Sequence, residues 1–250
     1  MRYRTTALAL ALLAVTGTQA EAAPRDAKPT AAATAAPEAL QAEVARLAKI
    51  AGGPVGVAAW RLDGTGPKLL LNADQAFPMA STFKVAVAGR ILERVDKGEL
   101  TLDQLVPVRP DQLVPSDVIA EQLIHPGISL SVHNLLELML THSDNTATDV
   151  LTEVAGGPAV VTAWLKAQGI TGQRVDRDTA GLLRDFFGAP QGPFMQVFEE
   201  FAKTHPELEE MGGKPNPAFD DDPRDSSTPT AMANLLTRIY SGKALSAAST

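Results

Sequence analysis

Two short stretches hold residue types at spacings that can do chemistry. The first is Ser81-Thr82-Phe83-Lys84, which opens the apolar run Val85-Ala86-Val87-Ala88. Residues three apart on a helix share a face, so this hydroxyl and this amine come within one turn of each other. At a helix start the free backbone N–H groups and the dipole favour negative charge, which makes an alkoxide less costly. Ser81 therefore reads as an activated nucleophile with Lys84 as its proton partner. The same serine also suits an ordinary helix N-cap, and S-x-x-K arises by chance in a chain of this length. The second stretch, Ser143-Asp144-Asn145, breaks two apolar helical patterns. Its Ser hydroxyl and Asn amide can shuttle a proton and grip an amide, although such triplets also serve as turns or caps.

Composition removes several other chemistries. The absence of cysteine excludes disulfides, thiolate metal sites and a cysteine nucleophile. His125, His133, His142 and His205 show no H-x-H or H-x-x-x-H spacing, so a zinc hydrolase has little support and no metal or cofactor is expected. No G-x-S-x-G elbow is present. A net charge of −7 without a basic stripe argues against nucleic acid.

The elements that must position the two stretches follow from periodicity. Met1-Arg2-Tyr3-Arg4, an apolar core from Ala7 to Val15 and small residues at Ala20 and Ala22 read as a secretory signal peptide over 1–22. The expected location is periplasmic or secreted, with no membrane anchor after leader removal. Residues 23–36 form an Ala/Pro/Thr linker, expected to be disordered. The domain covers 37–250. Helices are expected over 38–50, from Ser81 to about Gly98, near 116–123, over 131–140, 146–154, 158–168 and 230–240, with a new one starting at Leu245. Strands over 55–62 and 68–72, joined by Asp63-Gly64-Thr65-Gly66, form one hairpin. Five of the eight phenylalanines fall between 182 and 213, and Phe194, Val197, Phe198 and Phe201 share one helical face. That face reads as packed on the domain, with a lid as the alternative.

Taken together, Ser81-Thr82-Phe83-Lys84, Ser143-Asp144-Asn145, Gly156-Gly157, Asp176-Arg177 and Arg224-Asp225-Ser226-Ser227-Thr228-Pro229 resemble the class A serine β-lactamases and their penicillin-binding relatives. The resemblance implies an α/β (α+β) fold of the β-lactamase/transpeptidase-like type. A mostly helical domain would accompany an antiparallel sheet, incomplete here with only the hairpin present. It also implies roles. Ser81 would open the lactam and carry the acyl group, and Lys84 would activate it, directly or through water. Ser143 would protonate the leaving nitrogen, Asn145 would hold the substrate's side-chain amide, and the Ser81 N–H would be half of an oxyanion hole. Arg177 and Asp225 would clamp an omega loop, and Asp144 would fix a turn. The partner would be a small β-lactam, met by a monomer.

Two features depart from the family. Thr179 stands where the resemblance expects a glutamate that primes the deacylating water, and threonine cannot serve as a comparable base. Asp178 is a candidate substitute, and Glu207, Glu209 or Glu210 could reach in from the insertion that lengthens the loop region 175–229. There is also no K-T-G strand late in the sequence, since Lys203-Thr204-His205 lies within the insertion. The expectation is an incomplete chain, with the C-terminal strands missing and half an oxyanion hole. One lost donor typically costs roughly a hundredfold or more in rate. Activity is therefore expected to be impaired. The alternatives are a D-Ala-D-Ala peptidase-type acyl-enzyme former with slow deacylation, or a non-catalytic fragment.

Overall fold

The computed structural model describes residues 36–250 other than 124, 212, 213, 215, 217, 218 and 220. The leader, and the linker up to residue 35, lie outside the described residues. Helix α1 (Glu38–Ala48) runs into a 3-10 turn and stops at Gly52, whose φ of 73° is the left-handed cap that glycine accepts without strain. Strands β1 (Val57–Ala59) and β2 (Leu69–Leu71) make the expected antiparallel hairpin, with Val57 opposite Leu71 and Ala59 opposite Leu69. After β3 (Phe77–Pro78) comes α2 (Lys84–Asp96), then β4 (Leu105–Pro107), α3 (Ile119–Gln122) and β5 (Ser129–Ser131). Helices α4 (Val132–Thr141), α5 (Asn145–Val154) and α6 (Pro158–Ala167) follow the periodicity closely. The Phe-rich region holds α7 (Thr179–Phe187), α8 (Phe194–Thr204) and α9 (Leu208–Met211), and β6 (Ser226–Ser227) leads into α10 (Pro229–Tyr240).

The apolar stripe of α2 is the centre of the core. Ala86, Val87 and Ile91 have no exposed surface. They pack with Leu135 and Met139 of α4, Val150 and Leu151 of α5, and Val161 and Leu165 of α6. Gly89 lets α6 come close, because a Cβ there would lie 2.3 Å from Trp164 Cη2. Burial of this stripe fixes the orientation of α2, and with it the position of Lys84 at its first turn.

The strands need a correction. Beyond the hairpin, β3 pairs with β6 and β4 pairs with β5, both antiparallel. These ladders are two and three residues long, too short to leave a period in the sequence. Two further expectations change. Residues 245–250 form turns instead of a helix, held by Asp96, which accepts from Ser246 N at 2.7 Å and Ser246 Oγ at 2.6 Å. The amphipathic α1 exists, but Leu40, Leu47 and Ile50 on its apolar side remain exposed. The Phe face of α8 packs as the first reading expects. Phe194 is buried against Val114 and Ala180, and its ring stacks on Phe198 with centroids 5.0 Å apart. No helix among the described residues is long and apolar enough to cross a membrane.

Candidate active site

The chain is delivered to Ser81 by a backbone splice. Pairing of β3 with β6 and a bond from Met79 N to Asp225 O (3.0 Å) pin the approach. Ala80 then turns with φ of 44°, a left-handed conformation that costs free energy for a residue with a Cβ. Residues Ala80–Phe83 form a 3-10 turn before α2. In a 3-10 turn positions three apart eclipse, so Ser81 and Lys84 stand in line. Phe83 is driven into the core, Ser81 is left exposed, and the Lys84 side chain is buried.

Ser143-Asp144-Asn145 meets this pair across the gap between α4 and α5. Asp144 explains why: it is 1% exposed, and its Oδ1 accepts from Ala147 N (2.8 Å) while Oδ2 accepts from Ile119 N (2.9 Å). One carboxylate thus caps α5 and ties it to α3, holding Ser143 at a left-handed φ of 54°. Lys84 Nζ then donates to Ser143 O (2.6 Å), Ser143 Oγ (2.9 Å) and Asn145 Oδ1 (2.9 Å). Three acceptors match the three protons of an ammonium. Ser143 Oγ donates in turn to Ser81 Oγ at 3.0 Å. The link between the Ser81 hydroxyl and the Lys84 amine therefore runs through Ser143 Oγ. Asn145 Nδ2 donates to Pro115 O at 2.8 Å, so both ends of this amide bond within the protein.

Burial pulls the Lys84 ammonium down to about 8, against the opposing pull of the Asp144 and Asp149 charges. An amine with that affinity holds its proton loosely near neutral pH. Once neutral it offers a lone pair toward Ser143 Oγ, and the relay can carry a proton away from Ser81. When charged, it can push one outward.

Arg177 and Asp225 meet although 48 positions apart, with Arg177 Nε 2.5 Å from Asp225 Oδ2. Asp225 is buried, and its Oδ1 also accepts from Asp176 N (2.7 Å) and Arg177 N (3.1 Å). Arg177 bonds Asp185 as well (2.6 Å). This neck closes the segment that carries α7, α8 and α9. Asp178 sits at the N-cap of α7, where its Oδ1 accepts from Gly181 N at 2.7 Å.

One residue was missed from the sequence. Asp149, on α5 four positions after Asn145, is 8% exposed and receives Thr179 N on Oδ1 (2.6 Å) and Ala180 N on Oδ2 (2.9 Å). Burial, and then the Asp178 charge, push its carboxyl up to about 7. The available signal was an acid beside Val150 and Leu151, on the helical face that also carries Asn145. Asp149 and Asp178 line a cleft of about 350 Å³ with Arg109, Thr152, Glu153 and Arg184. Among the described residues no group of three or more His, Asp or Glu could hold a metal ion.

Comparison with known proteins places the fold in a family. The β-lactamase enzyme family profile matches residues 39–250. β-Lactamase L2 of Stenotrophomonas maltophilia is 34% identical over 244 residues, covering 97% of this chain and 65% of that protein. Among solved structures, the ancestral class A β-lactamase of the last common ancestor of Gram-negative bacteria is 35% identical with a TM-score of 0.64, covering 84% of this chain and 67% of that one. A β-lactamase from Xanthomonas campestris is 31% identical with a TM-score of 0.65, covering 85% and 66%. The chain spans about two thirds of the length of these relatives. A profile match over nearly all the described residues, with the fold shared with these solved structures, means that this chain belongs to the β-lactamase enzyme family, among its class A serine members.

Proposed function

We propose that the site opens β-lactam rings through an acyl-enzyme on Ser81. Neutral Lys84 draws the Ser81 proton through Ser143 Oγ, and Ser81 Oγ attacks the lactam carbonyl. The C–N bond breaks as Ser143 passes a proton to the ring nitrogen, resupplied from the Lys84 ammonium. Asn145 Oδ1 orients Lys84, and the second hydrogen of its Nδ2, beside the one given to Pro115 O, holds the substrate's side-chain amide, while the Ser81 N–H faces the developing oxyanion. The observation that carries this reading is the unbroken hydrogen-bond chain from buried Lys84 to exposed Ser81. The setting is periplasmic or secreted, and the working form is a monomer.

A second reading, a penicillin-binding-type enzyme that acylates but releases its product slowly, is favoured by one observation: Thr179 occupies the expected glutamate position. Mass spectrometry of the intact chain after exposure to benzylpenicillin tests the shared step. A mass gain of one penicillin, lost in Ser81→Ala, supports acylation, and an unchanged mass with the penicillin left intact refutes it. Hydrolysis of a chromogenic cephalosporin then separates the two readings, since only the first expects steady turnover.

A further inference from the structure

The acyl-enzyme proposed above must be hydrolysed, and Thr179 has no side chain able to take a proton from water at neutral pH. The backbone at that position is nevertheless held by a carboxylate. We propose that Asp149 is the proton acceptor for the water that releases the acyl group from Ser81, in place of the expected glutamate; this rests on the acyl-enzyme reading.

Placement supports it from three sides. Asp149 Oδ1 is 2.6 Å from Thr179 N and Oδ2 is 2.9 Å from Ala180 N, so a carboxylate is held against the backbone of the position where the glutamate is expected. On α5 it follows Asn145 by four residues, on the same face and about 6 Å along the axis. Asn145 Oδ1 is itself 2.9 Å from Lys84 Nζ, which puts the carboxylate one helical turn from the relay. The two amides use two of roughly four acceptor directions on a carboxylate, leaving the others for water. The cleft of about 350 Å³ that Asp149 helps to line admits solvent to the carboxylate, although its walls include none of Ser81, Lys84, Ser143 and Asn145.

The charge state fits the task. The charged groups around Asp149 are Lys84 from α2, Asp178 at the start of α7, and Arg109, Asp111, Glu153 and Arg184 around the cleft. Burial and Asp178 hold the carboxyl near 7, where a base is partly ionised yet still takes a proton readily. In the step, the water oxygen bonds the acyl carbon as its proton passes to Asp149. The bond from that carbon to Ser81 Oγ then breaks. Ser81 Oγ takes a proton from Ser143, Ser143 from Lys84, and Lys84 from Asp149. The products are a carboxylic acid and the enzyme as it began. Asp178, bonded to Gly181 N, acts here as the neighbouring charge that sets the affinity of Asp149.

The experiment follows decay of the penicillin adduct by intact mass after excess drug is removed. Asp149→Asn should still acylate but hold the adduct at least about a hundredfold longer, and Thr179→Glu added to it should restore decay. In the parent chain the decay rate should rise with pH to a midpoint near 7, and Asp178→Asn should move that midpoint down. Decay in Asp149→Asn at the parental rate overturns the proposal. Should Asp149→Asn fail to fold, a parental decay rate that is flat from pH 5 to 9 overturns it equally. A parent chain that neither gains the adduct nor consumes penicillin refutes the acyl-enzyme reading itself, and this role falls with it. Where the parent consumes penicillin without holding the adduct, Asp149→Asn should accumulate it, and failure to do so overturns the proposal.

Discussion

Replacing Asp144 with alanine removes two buried hydrogen bonds at once, to Ala147 N at 2.8 Å and Ile119 N at 2.9 Å. Each is charge-assisted and worth about 1.5–3 kcal/mol, so the loss is about 3–6 kcal/mol, less whatever is recovered by no longer burying a charge. In a domain of this size each kcal/mol moves the melting temperature by about 2–4 °C, which puts Asp144→Ala about 6–24 °C below the parent. Asp144→Asn keeps one acceptor oxygen and should lose about half as much. The assay is thermal unfolding followed by far-UV circular dichroism. Asp144 also raises the proton affinity of Lys84, so Asp144→Asn should shift the pH midpoint of acylation downward. An Asp144→Ala protein melting within 2 °C of the parent would refute the argument that this carboxylate fixes the Ser143 turn, a bound suggested by the roughly 0.5 kcal/mol expected of neutral surface changes.

Arg177→Ala strands the buried Asp225 carboxylate and should cost about 3–5 kcal/mol, with limited proteolysis cutting faster between residues 178 and 224. Gly89→Ala forces a methyl into the Trp164 ring and should cost about 1–3 kcal/mol in urea unfolding, with the penicillin adduct still forming on the folded fraction. Asp149 binds its proton more tightly in the folded chain than in the unfolded one, since burial raises the carboxyl from 3.8 to about 7. The folded state then holds the extra proton between those values, so this residue's contribution to stability is full below pH 4 and declines until about pH 7. The slope is at most about 1.4 kcal/mol per pH unit. Urea midpoints at pH 5 and 7.5 should therefore converge in Asp149→Asn.

Long periodic segments were legible because one buried stripe dictates both residue type and spacing. The helices α2, α4, α5 and α6 read well because α2 supplies Ala86, Val87 and Ile91 to a core that the other three complete. The pairing of β3 with β6 was not legible. It joins Phe77 to Ser227 across 150 positions, through two residues in each strand, and no local pattern encodes such a contact. Helix α7 could have been read from the Asp178 cap and the Leu182, Leu183, Phe186 and Phe187 spacing, but Gly181 and the change in composition obscured it. Within the site, Ser81, Lys84, Ser143 and Asn145 stood out because their spacing is set by one turn of helix and one tight loop. The order of the relay did not, because it depends on the left-handed φ of Ser143, which places its Oγ between the other two groups. Asp149 was hidden for a related reason. An acid inside a helix usually faces solvent, and only the fold brings the start of α7 down onto it.

The central claim is that Lys84, working through Ser143, prepares Ser81 for attack, and the pH dependence of acylation tests it most directly. The rate at which penicillin mass appears on the tryptic peptide containing Ser81 should rise from pH 6 to 10 with a midpoint near 8, where Lys84 loses its proton. It should fall by about a hundredfold or more in Lys84→Ala. A rate that does not change across that range, or an adduct mapped to any residue other than Ser81, would contradict the account.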